Sequence, residues 1–186
     1  MAVPLLKGPF TVADYHRLGE IGILGEDDRV ELLDGQIVEM SPIGSRHAGC
    51  VKRFVWLLPR LLGDAAMLGV QDPVTLDDHS EPEPDIAVLK PRADTYSTSH
   101  PRPDDVLLVI EVADTSVQHD RTRKIPLYAR AAIAEAWLVN LPADRIEVWT
   151  RPGPDGYADV RMAQRGETLS PLLLDGVTLQ VNEILG

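Results

Sequence analysis

Glu111 stands inside an aliphatic run, Val106-Leu107-Leu108-Val109-Ile110-Glu111-Val112-Ala113. Runs of this composition, bounded by Pro, Asp and Ser, read as buried strands. An ionised carboxylate buried there alone is very costly, so it must be neutralised, paired or bound to a cation. Asp85, heading a second apolar run Ile86-Ala87-Val88-Leu89, and Lys124, in Asp120-Arg121-Thr122-Arg123-Lys124, are the groups able to share its site. Two carboxylates converging from neighbouring strands make a hard oxygen site suited to Mg2+ or Mn2+. Such an ion polarises a phosphoryl oxygen and lowers the pKa of a bound water. A nearby ammonium then orients the nucleophile or offsets developing negative charge. The chemistry implied is phosphodiester hydrolysis.

Each of these residues also has a plainer reading. Glu111 pairs with Arg121, Arg123 or Lys124 as a structural ion pair. Asp85 is a turn residue after Pro84. Asp120 and Lys124 form an exposed i,i+4 helix pair. Glu31 is a solvent-facing hairpin residue, and His47, near a helix start, faces either the cleft or open surface. Tyr128 packs beside Lys124 or belongs to the core. Trp56, Trp137 and Trp149 read as core. His16, His79, His100 and His119 show no metal-ligand spacing.

The elements that must position the site follow from periodicity and turn chemistry. Thr11 is an N-cap for a first helix with Val12, Tyr15 and Leu18 on one face. Val30–Leu33, Asp34-Gly35 and Gln36–Met40 form a hairpin, since Asp-Gly supplies the positive φ angles of a two-residue turn. A second helix spans 45–63, with Val51, Val55, Leu58 and Leu62 at helical spacing and Pro59 kinking or shortening it. Short strands are expected at 69–71 and 74–76, and an exposed proline-containing loop at 91–105. In the strand at 106–113, alternation puts Leu107, Val109, Glu111 and Ala113 on one face and Val106, Leu108, Ile110 and Val112 on the other. Helical composition covers 119–131, with Pro126 favouring a start near Lys124. Strands at 136–139, 146–149, 157–162 and 177–179 follow. The whole, residues 1–186, reads as a single domain of the α/β (α+β) class, with a mixed central sheet flanked by helices.

The bulk properties exclude several function classes. The chain of 186 residues is 44% hydrophobic, enough for a globular core. No apolar run reaches the length of a membrane span. Residues 1–10 lack an export-type hydrophobic region, so a cytoplasmic location is expected. Cys50 is the only cysteine, which excludes an internal disulfide and a multi-cysteine zinc site. The net charge of −11 excludes a protein that binds nucleic acid through overall positive charge. Contact with nucleic acid requires metal ions or a local patch, for which Lys52, Arg53, Arg60, Arg121, Arg123 and Arg130 are candidates.

Pro84-Asp85, then Glu111 in an aliphatic strand, then a lysine, resembles the PD-(D/E)XK nuclease superfamily. More closely, the chain resembles the Uma2 family of restriction-endonuclease-like proteins. The stretches that carry this are Arg29–Gly35, Ser80–Asp85, Val109–Val112, Lys124–Ala129, Glu135–Val139 and Thr168–Pro171. The resemblance implies a restriction-endonuclease-like fold and an endonuclease acting most naturally on DNA. It implies Mg2+ or Mn2+ held by Asp85 and Glu111, and Lys124 as the catalytic lysine. Ala113 stands where the superfamily usually has its lysine, so Lys124 is a relocated one. Glu31 is an additional acid implied by the same likeness, with His47 and Tyr128 further candidates near the site. A twofold dimer is expected if both duplex strands are cut. The rival reading keeps the fold as a catalytically weak or inactive binding or assembly module.

Overall fold

The computed structural model describes residues 9–25 and 27–186. The stretch 1–8, read above as lacking an export signal, lies outside the described residues.

Helix α1 (Val12–Glu20) starts where the N-cap predicts. Asp14 N–H donates to Thr11 Oγ1 at 3.1 Å and Thr11 N–H donates to Asp14 Oδ2 at 2.9 Å, closing a capping box. Strands β1 (Val30–Leu33) and β2 (Gln36–Glu39) form the expected hairpin. Asp34 and Gly35 take φ of 49° and 73° at its turn. Gly35 is required twice over, because a Cβ there would also lie 2.4 Å from Pro9 Cβ.

Helix α2 (Ser45–Leu62) buries Cys50, Val51, Phe54, Leu58 and Leu62. Val55, expected on that face, is exposed, as is Trp56 at 60%. Trp56 is therefore not a core residue; the Arg60 guanidinium lies 3.9 Å from its ring centroid and donates to its carbonyl. Pro59 neither ends nor shortens the helix. The carbonyl it leaves without a backbone donor belongs to Val55, on the side open to water.

Strand β3 (Met67–Gly69) is followed by irregular chain over 74–76, where a strand was expected. Val74, Thr75 and Leu76 N–H groups instead donate to Pro82, Pro101 and Ser80 carbonyls. Strands β4 (Ile86–Leu89) and β5 (Val106–Ala113) match their apolar runs, with the loop between them ending in a 3-10 turn, Pro103–Asp105. A bulge falls where Val88 pairs with Leu108 but Leu89 with Val106. It inverts the expected alternation at the strand's start. Val106 joins the Glu111 side of the sheet and Leu107 the opposite side.

The next helical stretch begins earlier than Pro126 suggested. It runs through α3 (Val117–His119), a wide turn over Asp120–Lys124 and α4 (Ile125–Arg130). In the wide turn Ile125 N–H reaches back five residues to Asp120 O, a π-type bond. Widening relieves the contact between the Pro126 ring and the preceding turn, so the helix passes into the proline.

Strands β6 (Glu135–Asn140), β7 (Arg145–Gly153) and β8 (Gly156–Gln164) complete a six-stranded sheet in the order β3-β4-β5-β6-β7-β8. Only β5 and β6 are parallel, and the helical stretch 117–130 is their crossover. A small pair, β9 (Thr168–Leu169) with β10 (Leu179–Gln180), leads into α5 (Val181–Leu185). One core lies between the sheet and α2 with α5, built on Ile86, Leu108, Ile110 and Trp137. The other lies between the opposite sheet face and α4, built on Ala87, Val109, Ile125 and Tyr128. The mixed sheet flanked by helices is the architecture the sequence predicts. Among the described residues, no helix is long and apolar enough to cross a membrane.

Candidate active site

The register of β4 and β5 brings the two carboxylates together. Ile86 pairs with Ile110 and Ala87 with Val109. One step further along this antiparallel ladder, Asp85 falls opposite Glu111, and directly opposed residues share a face. Both line one cavity of about 330 Å³ with Glu31, His47 and Lys124.

Lys124 is the centre of the charge arrangement. Its Nζ lies 2.9 Å from Glu111 Oε1 and 3.1 Å from Glu31 Oε2, and donates to Glu83 O at 3.0 Å. All three side chains are at most 5% exposed. Glu31 is thus a buried partner, not a solvent-facing hairpin residue. Glu83 N–H donates to its Oε2 at 3.1 Å. Asp120 and Lys124 are both buried and do not form the exposed helix pair; Asp120 accepts from Ser116 Oγ at 2.6 Å instead. The wide turn between them removes the i,i+4 alignment that such a pair needs. Tyr128 is fully buried, and its hydroxyl donates to Glu111 Oε1 in a short bond. It belongs both to the core and to this cluster.

Asp85 is held by three donors: Gln71 Nε2 on Oδ1 at 3.1 Å, and His47 Nε2 (3.0 Å) and Val112 N–H (2.8 Å) on Oδ2. His47 therefore faces the cleft, and its buried Nδ1 has no partner. Burial raises the Asp85 pKa, but the His47 bond and the Val112 N–H outweigh it and hold the carboxyl below its ordinary value. The same bond to Asp85 raises His47. Burial pushes Glu111 up to about 8 against the pull of Lys124. Burial disfavours the Lys124 ammonium, yet Glu111 and Glu31 more than compensate and hold it charged. Burial also raises Asp120, and burial with the Glu31 charge raises Glu83.

Seven carboxylates line the cavity against one lysine, one arginine and two histidines. Gln71 and Glu83 are members that the sequence reading did not single out, and Asp120 is one that it placed on an exposed helix face. Glu83 was findable, since two residues before Asp85 in extended chain is the same side. Gln71 was not, because its positive φ of 56° and its reach to Asp85 exist only in the fold. The six candidate basic residues do not gather into a patch. Lys52, Arg53 and Arg60 sit on α2 and Arg121, Arg123 and Arg130 on the crossover, on opposite sides of the sheet. Arg121 is engaged by Glu147 at 2.6 Å and Arg130 by Asp34 at 2.7 Å.

Fold and cleft together define an α/β protein whose central strands present a buried carboxylate–lysine cluster at the wall of an acidic pocket. Residues 12–182 match the Uma2 family, described as "Putative restriction endonuclease", and the chain belongs to that family. No curated protein matches it. Among solved structures it is similar to one from Anabaena variabilis ATCC 29413, titled a "putative nuclease belonging to DUF820". That likeness has a TM-score of 0.76 at 16% identity, covers 95% of this chain and 98% of the other, and establishes the shared fold.

Proposed function

We propose that the protein is a divalent-metal-dependent endonuclease that hydrolyses phosphodiester bonds in DNA. The observation that carries this is Asp85 opposite Glu111, with Lys124 on Glu111, in one acidic cavity. The family's description as a restriction endonuclease, and the nuclease title of the similar structure, support the same class and favour DNA.

The residues present fit a hard cation. Among the described residues no donor reaches Glu111 Oε2, since Lys124 and Tyr128 both bind Oε1. A carboxylate offers about four lone-pair directions, and the three donors on Asp85 leave one on Oδ1. Asp85 and Glu111 would hold Mg2+ or Mn2+, which when bound supplies Lewis acidity toward the phosphoryl oxygen and a more acidic water. An excess of carboxylates otherwise repels a phosphodiester, so neutralisation by a cation is a condition for substrate entry. His47 and Gln71 fix the Asp85 carboxylate, and Tyr128 fixes Glu111. Lys124 would offset charge developing at phosphorus, and would orient the attacking water on releasing one of the three acceptors it holds. Glu31 holds the lysine. A twofold pair of such chains would cut both strands of a duplex.

The second reading, a nuclease fold acting as a binding module with little hydrolysis, has its own observation. Lys124 is fully committed to Glu111, Glu31 and Glu83 O, and the six candidate basic residues do not gather beside the cleft. Plasmid cleavage with Mg2+ or Mn2+ separates the two. Endonuclease action requires nicking by the wild type that is lost in Asp85→Ala, Glu111→Gln and Lys124→Met alike. A wild type that binds the metal by calorimetry but never nicks supports the module. Nicking by all four proteins equally removes the active-site assignment.

A further inference from the structure

Away from the cleft, three side chains with no assigned role converge from three segments. His16 comes from α1, Glu81 from the chain before β4, and His100 from the loop before β5. Sequence spacing gave no hint of this group, because its members are distant along the chain. One ligand atom from each lies within 4.8 Å of the others. His16 Nε2 is 2.6 Å from Glu81 Oε1, and the two imidazole rings stand edge to face with centroids 6.1 Å apart.

The carboxylate among them is built in. The Glu81 side chain is 1% exposed, and no guanidinium or ammonium pairs with it among the described residues. Thr75 Oγ1 donates to Oε2 at 2.6 Å, which fixes the carboxylate and leaves Oε1 directed at His16. Backbone bonds hold each segment. Glu81 exchanges bonds with Leu32 at 2.8 and 3.4 Å, Val12 N–H donates to Asp78 O at 2.8 Å, and Thr75 N–H donates to Pro101 O at 3.0 Å beside His100. His16 and His100 open onto a surface pocket that also reaches Thr75 and Arg102. An entry path is therefore present.

We propose that His16, Glu81 and His100 form a site for a borderline divalent transition ion, zinc foremost, separate from the hard-ion cleft. Two imidazoles and one carboxylate select for such ions and leave a fourth position for water, unlike the all-oxygen donors of Asp85 and Glu111. Zinc with bonds of about 2.0–2.2 Å holds its ligand atoms roughly 3.3–3.6 Å apart. Occupancy thus requires the His100 ring to swing inward, and the His16–Glu81 hydrogen bond to open around the cation. The Thr75 hydroxyl is the supporting partner that orients the ligating carboxylate. The ion would clasp α1 and the loop of His100 to the segment that pairs with β1, the strand carrying Glu31. Its role is to stabilise this side of the cleft.

The test is calorimetric titration of the chelator-stripped full chain with ZnCl2 in excess MgCl2, alongside the visible absorption of bound Co2+. The expected result is one zinc equivalent that Mg2+ does not displace, with a raised thermal midpoint. Affinity falls by at least about 100-fold in His16→Ala and in His100→Ala, the upper end for losing even a supporting partner. Asp85→Ala and Glu111→Gln retain it. Both histidines are exposed, so their variants fold and the result is readable even if a Glu81 variant does not. No zinc binding, binding that survives both histidine variants, or binding lost in Asp85→Ala and Glu111→Gln instead, each overturns the proposal. None of these readouts depends on nuclease activity, so failure of the plasmid assay leaves this site standing.

Discussion

Lys124→Met tests the buried cluster most directly. Methionine keeps the apolar stem of the lysine while deleting the charge that lies 2.9 Å from Glu111 and 3.1 Å from Glu31. Removing one partner of a buried ion pair costs about 3–5 kcal/mol, because the other charge remains desolvated. The penalty depends on pH in a defined direction. Burial raises the Glu111 carboxyl to about 8, so the folded state keeps a proton that the unfolded chain has released above about pH 4.3. Stability of the wild type therefore falls with pH up to about 8 and then levels, as far as this group is concerned. Without the ammonium the folded pKa rises further, so stability of Lys124→Met keeps falling above 8, at up to about 1.4 kcal/mol per pH unit. The gap between the two proteins should thus widen from pH 6 to pH 9.5. Urea denaturation followed by the fluorescence of the fully buried Trp137, in chelator, measures it. Lys124→Met with Glu111→Gln removes the titrating carboxyl, and this widening should vanish. Parallel pH curves for wild type and Lys124→Met would refute the reasoning, as would a widening that persists in the double variant.

Three further outcomes follow from the same geometry. Cys50 is fully buried and burial pushes its thiol up to about 12, so it should resist thiol reagents at pH 8 until urea unfolds the chain; rapid labelling of the native protein would contradict that packing. Gly35→Ala places a Cβ on Pro9 at a φ of 73°, and should lower stability by more than the ~1 kcal/mol typical of a strained left-handed position, read as a shift in urea midpoint. Tyr128→Phe deletes only the hydroxyl that binds Glu111 and should cost about 0.5–1.5 kcal/mol at pH 7, the range for a hydrogen bond to an uncharged group, with the fold kept by circular dichroism.

Much of the scaffold was legible because its signals are local. The Asp34-Gly35 turn, the Thr11 cap and the aliphatic runs of β4 and β5 are each specified by a few adjacent residues. Glu111 announced itself for the same reason, as a charge at an apolar period. The misreadings share a different cause. Val106 and Leu107 exchanged faces at a bulge, and Asp120 parted from Lys124 across a wide helical turn. Each is a single-residue change of register, invisible to periodicity yet sufficient to redirect a side chain.

The chain's order of residues by itself determined which groups carry charge, where most strands and turns begin, and that Glu111, an acid in an apolar run, must be neutralised, paired or bound to a cation. Only the tertiary structure decided what those groups meet. It set Asp85 against Glu111 through an antiparallel ladder and wedged Lys124 between Glu111 and Glu31. It also collected His16, Glu81 and His100 from three separate segments. The physical reason is range. Backbone preferences act over a few residues, whereas the fate of a buried charge depends on whichever groups the packed core brings within about 4 Å.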